Sequence, residues 1–420
     1  MHTHFRIVDT PDRLRRDGPR EPRNRRLTRV LQLATLWLVL VWVQPAHAYP
    51  WMIRHGYSGC GVCHTDPSGG FLLTAYGRAQ PQTLLSTFGH GPAGDEVDSR
   101  SQFAWGAVPL PDWLSAGVAV RNLYLYSKPR GAPVNSRFVQ MQADARVVVT
   151  RGDFEAAGSL GYVHEGAFAS AVTRANTDNL VSREFWLGYR FGEDRSMEVR
   201  AGRLYLPFGL RMIEHNFFVR SVTQTDIDSQ EQWGASFFRQ GDAYRAEIMA
   251  ILGNYQIGPD AYRQRGYSGY AELALSPRVG LGLSSLATYA KLDPALGVSA
   301  VRGAHGPYVR WVATPDLAVL AEADVVHRTP EYAQTEVGFV GLAQADWEFV
   351  HGLHGILSAE LQLPQFRDPV SEGSHREWLT AAWFIYPHVD VRADAIWASE
   401  LYGPQRVQSI TGLGQLHVSL

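Results

Sequence analysis

The chain has 420 residues, 45% of them hydrophobic, and 39 Lys and Arg against 41 Asp and Glu give a formal net charge of −2. This balance excludes a disordered chain and leaves no basic footprint for nucleic acid. Two cysteines among 420 residues exclude a disulfide framework, while 40 Gly, 12 Trp and 18 Tyr point toward sheet and turn structure.

The first segment is rich in arginine up to Arg29, then apolar from Val30 to Val43, then Gln44-Pro-Ala-His-Ala48. A basic leader, a short apolar run and a small-residue site predict a secretory signal peptide over 1–48, with the mature chain starting at Tyr49. The apolar run falls short of the roughly 20 residues a membrane-spanning helix needs. The leader is long enough to leave the start codon open.

Residues 49–111 form a short segment around Cys60-Gly61-Val62-Cys63-His64, which holds both cysteines of the chain. Thiols at i and i+3 reach the two vinyl groups of one haem, and the imidazole that follows reaches its iron. The motif therefore predicts covalent haem c on Cys60 and Cys63, with His64 as proximal axial ligand. A zinc site would need further N or S ligands than these, and a redox CxxC pair belongs in a βαβ context that the chain does not show. His55, His90 and Met52 are the candidate distal ligands in this segment, and His215 in a later loop is a fourth. Tyr57, Phe71 and Tyr76 flank the motif and suit packing against a porphyrin. Asp226, Asp228 and Glu231 form a small acidic cluster that reads as a solvated loop.

From residue 112 to 420 the sequence alternates apolar and polar residues in stretches of about 10 to 14, the length and pattern of transmembrane β-strands. Val139, Met141, Ala143, Ala145, Val147 and Val149 oppose Gln140, Gln142, Asp144 and Arg146. Leu317, Val319, Ala321, Ala323 and Val325 oppose Glu322 and Asp324. A soluble sandwich would not carry charges on every polar face or Tyr and Trp near so many strand ends. The stretches begin near Leu114, Ser136, Asp153, Ser182, Arg195, Gln230, Ala243, Gly266, Val279, Ala304, Asp316, Thr335, Gly352, His375, His388 and Ser409. Tight turns such as Gln240-Gly-Asp242 and Thr314-Pro-Asp316, with a further one near Asp346, alternate with longer segments such as 206–229. The last stretch alternates Leu416, Val418 and Leu420 with Gln415, His417 and Ser419. The fold class is thus all-β: an antiparallel outer-membrane barrel of about 16 strands, preceded by the haem segment, with both chain ends in the periplasm. A segment of 49–111 is too small for a core of its own, so it is expected to plug or cap the lumen.

Tyr49-Pro50, Cys60 to His64, Pro67 and Leu72-Leu-Thr-Ala-Tyr-Gly-Arg78, ahead of such a barrel, resemble the fused outer-membrane monohaem cytochrome-porins, including the iron-oxidising ones. The similarity covers about 30 residues and the overall layout. The chain departs from it by lacking the Arg-Gln-Thr-Gly lead-in and the Phe-Lys after Gly-Arg, which puts ferrous iron as the redox partner in doubt. The resemblance implies electron transfer across the outer membrane between a periplasmic carrier, such as a soluble cytochrome, and an extracellular redox partner. Two other functions stay open: a solute porin with a haem-bearing plug or redox gate, and a peroxidase-like enzyme with an open distal site. The sequence does not give the oligomeric state; many 16-stranded porins are trimers, so a homotrimer is a candidate assembly, in contact with outer-membrane lipid.

Overall fold

The computed structural model describes residues 50–55, 59–61, 63–70, 72–80, 85–88, 102–163, 179–226, 230–254, 263–293, 296–366, 372–402 and 405–420. The expected signal peptide lies outside them.

Seventeen strand segments form one sheet. The first five are β1 (Leu114–Pro129), β2 (Asn135–Arg151), β3 (Phe154–Val163), β4 (Asn179–Val181) and β5 (Phe185–Phe191). Next come β6 (Met197–Leu204), β7 (Gln232–Gln240), β8 (Tyr244–Gly253), β9 (Gln264–Ser276), β10 (Val279–Ala290) and β11 (Ala300–Thr314). The last are β12 (Leu317–Pro330), β13 (Glu336–Val350), β14 (Leu353–Leu363), β15 (Ser374–Tyr386), β16 (Val389–Tyr402) and β17 (Gln405–Ser419). β4 and β5 both pair with β3 and make one interrupted stave, so the staves number sixteen. At the interruption the Ser159 hydroxyl accepts the backbone N–H of Arg183 at 3.0 Å and of Glu184 at 3.1 Å, replacing the missing ladder bonds. β17 pairs with β1 from Ala119↔Ser419 to Pro129↔Ser409, which closes the barrel and leaves no sheet edge.

Every stave begins within four residues of its expected start. Connections at one end are tight, among them 152–153, 277–278, 315–316 and 387–388, and the longest at the other end is 205–231. The chain end Leu420 pairs with Val118 at the tight-turn end. One expected turn is corrected. Asp346 lies inside β13, buried and paired with Ile356, and the turn falls at His351-Gly352. An inward-facing carboxylate mimics a turn residue when read along one strand alone.

The alternation resolves as apolar outward and polar inward. Leu283 is 64% exposed, whereas Glu322 is 2% exposed. Leu187, Ile248, Leu357, Leu379 and Ile410 share the outer face, while Glu198, Arg200, Glu247, Glu272 and Arg310 are buried on the inner one. This inside-out distribution suits lipid around the wall. The uniform alternation expected from Val139 to Val149 is also corrected. Asn122 pairs with Gln140 but Arg121 with Gln142, so Met141 is a bulge. The phase reverses there, and Phe138 before it faces outward.

Among the described residues, two pieces of chain pack inside the wall. The connection after β6 turns inward, with the Gly209 N–H donating to Ser284 Oγ at 2.8 Å and the Leu210 N–H to Glu322 Oε2 at 2.8 Å. Gly209 has φ +57°, and a Cβ there would meet the Glu322 carboxylate, so this contact needs glycine. The second piece is the segment before β1. Its Trp51 and Met52 share one apolar cluster with Leu210, Phe217 and Phe218 of the inward connection and with Leu320, Leu342, Trp378 and Ile396 of the wall. Arg54 latches this piece to the wall: its Nη1 donates to Asp346 Oδ1 at 2.8 Å, and its guanidinium lies 4.6 Å from the Trp51 ring.

Candidate functional site

The Cys60 to His64 motif folds as one tight turn, in which the Cys60 carbonyl accepts the N–H of Cys63 at 3.1 Å and of His64 at 2.9 Å. An Asx turn follows: Asp66 Oδ1 accepts the Ser68 N–H at 2.8 Å. The chain then returns, with the Thr65 N–H bonded to the Leu72 carbonyl at 2.8 Å and the Thr74 N–H to the Cys63 carbonyl at 2.9 Å. Thr74 caps the short helix Ala75–Gln80 by accepting the Gly77 N–H at 3.0 Å. A Cβ on Gly77 would collide with the Cys63 backbone, so the helix sits against the motif only because this residue is glycine. Arg78 Nη1 donates to the Ala116 carbonyl of β1 at 2.9 Å. Leu72, Thr74, Gly77 and Arg78 thus each have a structural task that explains the run in which they occur.

Arginines of the wall and of the inward connection bind this loop from outside it. Arg200 Nη1 lies 2.7 Å from Asp66 Oδ1, with its Nη2 donating to Glu247 Oε1 at 2.5 Å. Arg211 Nε donates to the Ser68 carbonyl at 2.8 Å, and Arg245 Nη1 lies 3.1 Å from Cys60 Sγ. Burial, the largest single influence, pushes the Asp66 carboxyl up, but the Arg200 and Arg211 guanidinium groups and the bonds to Glu184 and the Ser68 N–H together hold it below its ordinary value.

Cys60 and His64 line a cavity of about 1360 Å³, including its part open to solvent. The wall mixes apolar Met52, Leu73, Ala119 and Phe384 with the guanidinium-bearing Arg121, Arg146 and Arg211. His64 Nδ1 is 3.1 Å from the Gly70 carbonyl, and a carbonyl only accepts, so Nδ1 carries the proton and Nε2 the lone pair. Burial lowers the His64 imidazole to about 4, against the raising effects of Asp66 and the Gly70 bond, so it is neutral at pH 7. Cys63 is fully buried, and burial followed by the neighbouring Cys60 pushes its thiol up to about 12. These residues fit a haem: paired thiols, an imidazole whose tautomer is set by a second-sphere carbonyl, apolar walls, and cations for two propionates.

The other sequence candidates fall in different places. Met52 lines the cavity and is fully buried in the apolar cluster. His55 is not part of the cavity lining; it lies 3.9 Å from Glu348, and burial plus Arg54 lower it to about 4. His215 uses both ring nitrogens, Nδ1 at 2.7 Å from Asp226 and Nε2 at 3.2 Å from Arg121. His90, Tyr57, Phe71 and Asp228 lie outside the described residues. Tyr76 is largely exposed, and Tyr205 of the inward connection lines the cavity instead. The acidic cluster does not form as a solvated group. Glu231 is buried 3.3 Å from Arg203, Asp226 pairs with His215, and no metal-binding group of three or more residues occurs among the described residues.

Two histidines that sequence reasoning missed also line this cavity, His388 at the turn before β16 and His417 on β17. Their signal was present for His417, which shares the polar face of the last strand with Gln415 and Ser419.

No protein-family model and no curated protein matches the chain. Among solved structures it is similar to the outer-membrane-expressed OmpT of Vibrio cholerae, with a TM-score of 0.57 at 9% identity over 74% of this chain and 100% of that one. It is also similar to the outer membrane channel DcaP of Acinetobacter baumannii, with a TM-score of 0.53 at 11% identity over 73% and 97%. The anion-selective porin from Comamonas acidovorans gives 0.54 at 12% identity over 73% and 99%. At such identities the likeness is one of fold, a closed 16-stranded porin-type barrel.

Proposed function

We propose that this is an outer-membrane barrel whose lumen carries a covalent haem, held by Cys60, Cys63 and His64, and that it passes electrons between a periplasmic carrier and an extracellular redox partner. The observation that carries the reading is the shared cavity: the only two thiols of the chain flank a turn whose Cys60 and His64 line the same space inside the wall. Lipid of about 25 Å separates carriers on the two sides, and a redox centre within the lumen shortens that gap. When bound, the haem supplies a ferric/ferrous couple that holds one electron. The chain's own part is to keep His64 neutral by burial and oriented through Gly70, to place cations near the cavity, and to exclude water with the Trp51 and Phe217 cluster. Assembly as a homotrimer accords with the trimer form of the in-vitro folded OmpT of Vibrio cholerae, whose barrel this one resembles.

A second reading, a solute porin whose haem segment is a plug or redox gate, is favoured by the likeness to channels and porins. Chain packed inside the lumen is common to both readings. Liposomes decide between them. Vesicles containing the haem-loaded protein, a redox dye inside and a reductant outside should show dye reduction that is lost with His64→Ala. Vesicles that leak small solutes but leave the dye unreduced would refute electron conduction and establish the porin.

A further inference from the structure

We propose that His417, on the last barrel strand, is the second axial ligand of the haem, so that the iron joins the N-terminal segment to the barrel wall. The assignment rests on the haem reading above and goes beyond it. His417 lines the cavity shared by Cys60 and His64. In the strand register it sits opposite Asp390 of β16 and opposite Arg121 of β1, and both of these also line the cavity. Its Nδ1 is 3.0 Å from Asp390 Oδ1. A carboxylate only accepts, so Nδ1 carries the proton and Nε2 carries the lone pair that a metal takes. A carboxylate behind an imidazole is the arrangement that fixes a metal-binding tautomer and raises ligand basicity. Backbone pairing on both sides of β17 holds the ring on a rigid element, as a preorganised ligand requires.

The competing groups are each less suited. His215 has its Nε2 lone pair committed to Arg121, and His55 lies outside the cavity lining. His388 sits in a tight turn at φ +72°, its ring 6.4 Å from that of Trp105. Met52 packs in the apolar cluster of Trp51 and Phe217. Only His417 combines the cavity, a rigid strand and a carboxylate partner. The consequence is a crosslink between the segment before β1 and the strand β17, made at the seam where β17 meets β1.

The test uses the full-length chain, matured with haem and purified in detergent, read by electron paramagnetic resonance and visible spectra. Barrel folding is monitored separately by heat-modifiable migration. The native protein should show a low-spin ferric signal of two imidazole ligands. His417→Ala should turn it high-spin while covalent haem stain is retained, and added imidazole should restore the low-spin form. His417→Gln keeps a donor for Asp390 and so guards against misfolding; it should also be high-spin. Met52→Leu and His388→Gln remove each rival donor while keeping bulk in the cavity wall; small shifts of the signal are expected, but the haem should stay low-spin. A low-spin spectrum that survives in both His417 variants overturns the assignment, as does conversion to high spin in Met52→Leu or His388→Gln, and as does a native protein that is already high-spin. A folded chain that carries no covalent haem overturns the cofactor reading itself, an outcome distinct from these.

Discussion

Arg54 is the residue through which the lumen filling can be tested most directly. Its side chain has no exposed surface, and it reaches Asp346 at 2.8 Å, His354 at 2.8 Å and Glu348 at 3.5 Å while stacking on Trp51. Arg54→Ala strands the buried Asp346 carboxylate with His354, 2.9 Å away, as its remaining partner. Removing one member of a buried ion pair costs about 3–5 kcal/mol, chiefly as the penalty on the charge left behind. The strand ladders do not pass through Arg54, so the cost falls on the docking of residues 50–55 and not on the barrel. At about 1.4 kcal/mol per tenfold, the undocked population rises by roughly two to four orders of magnitude. In planar lipid bilayers the native protein should be closed, and Arg54→Ala should show frequent channel openings. Adding Asp346→Leu removes the stranded charge and should restore most of the closed state. An Arg54→Ala protein as silent as the native one, with residues 50–55 equally protected from protease, would refute the latch.

Two further expectations concern the motif. Gly77→Ala places a Cβ on the Cys63 backbone, and overpacking of this kind costs about 1–3 kcal/mol, so the ratio of haem stain to protein should fall; an unchanged ratio would count against the close approach. In the folded chain produced without haem, Cys60 is partly accessible and Cys63 fully buried. A maleimide should therefore label Cys60 roughly tenfold or more faster until the barrel is denatured, and equal rates would count against the burial of Cys63.

The barrel was legible because one physical rule governs every strand. Lipid outside and polar lumen inside impose a period of two, and closure removes the edge, so the sixteen staves start close to where the alternation begins. The exceptions are local. The Met141 bulge reverses a phase without changing composition, and Asp346 looks like a turn residue because its partner Arg54 is far away in sequence. Around the motif, Leu72 to Arg78 could be recognised as a pattern but not explained, since Gly77 is required by a backbone contact that appears only when the loop folds back.

By itself the sequence determined the paired thiols with their adjacent imidazole and a barrel of alternating strands, all properties of neighbours within a few residues. The tertiary structure decided what faces the motif. Barrel closure sets β17 beside β1 and brings His417, Arg121 and Asp390 to the cavity of His64, and the turn after β6 brings Arg211 and Tyr205. Such juxtapositions arise from strand register and loop reversal, which bring together residues from opposite ends of the chain, and no local pattern encodes that meeting.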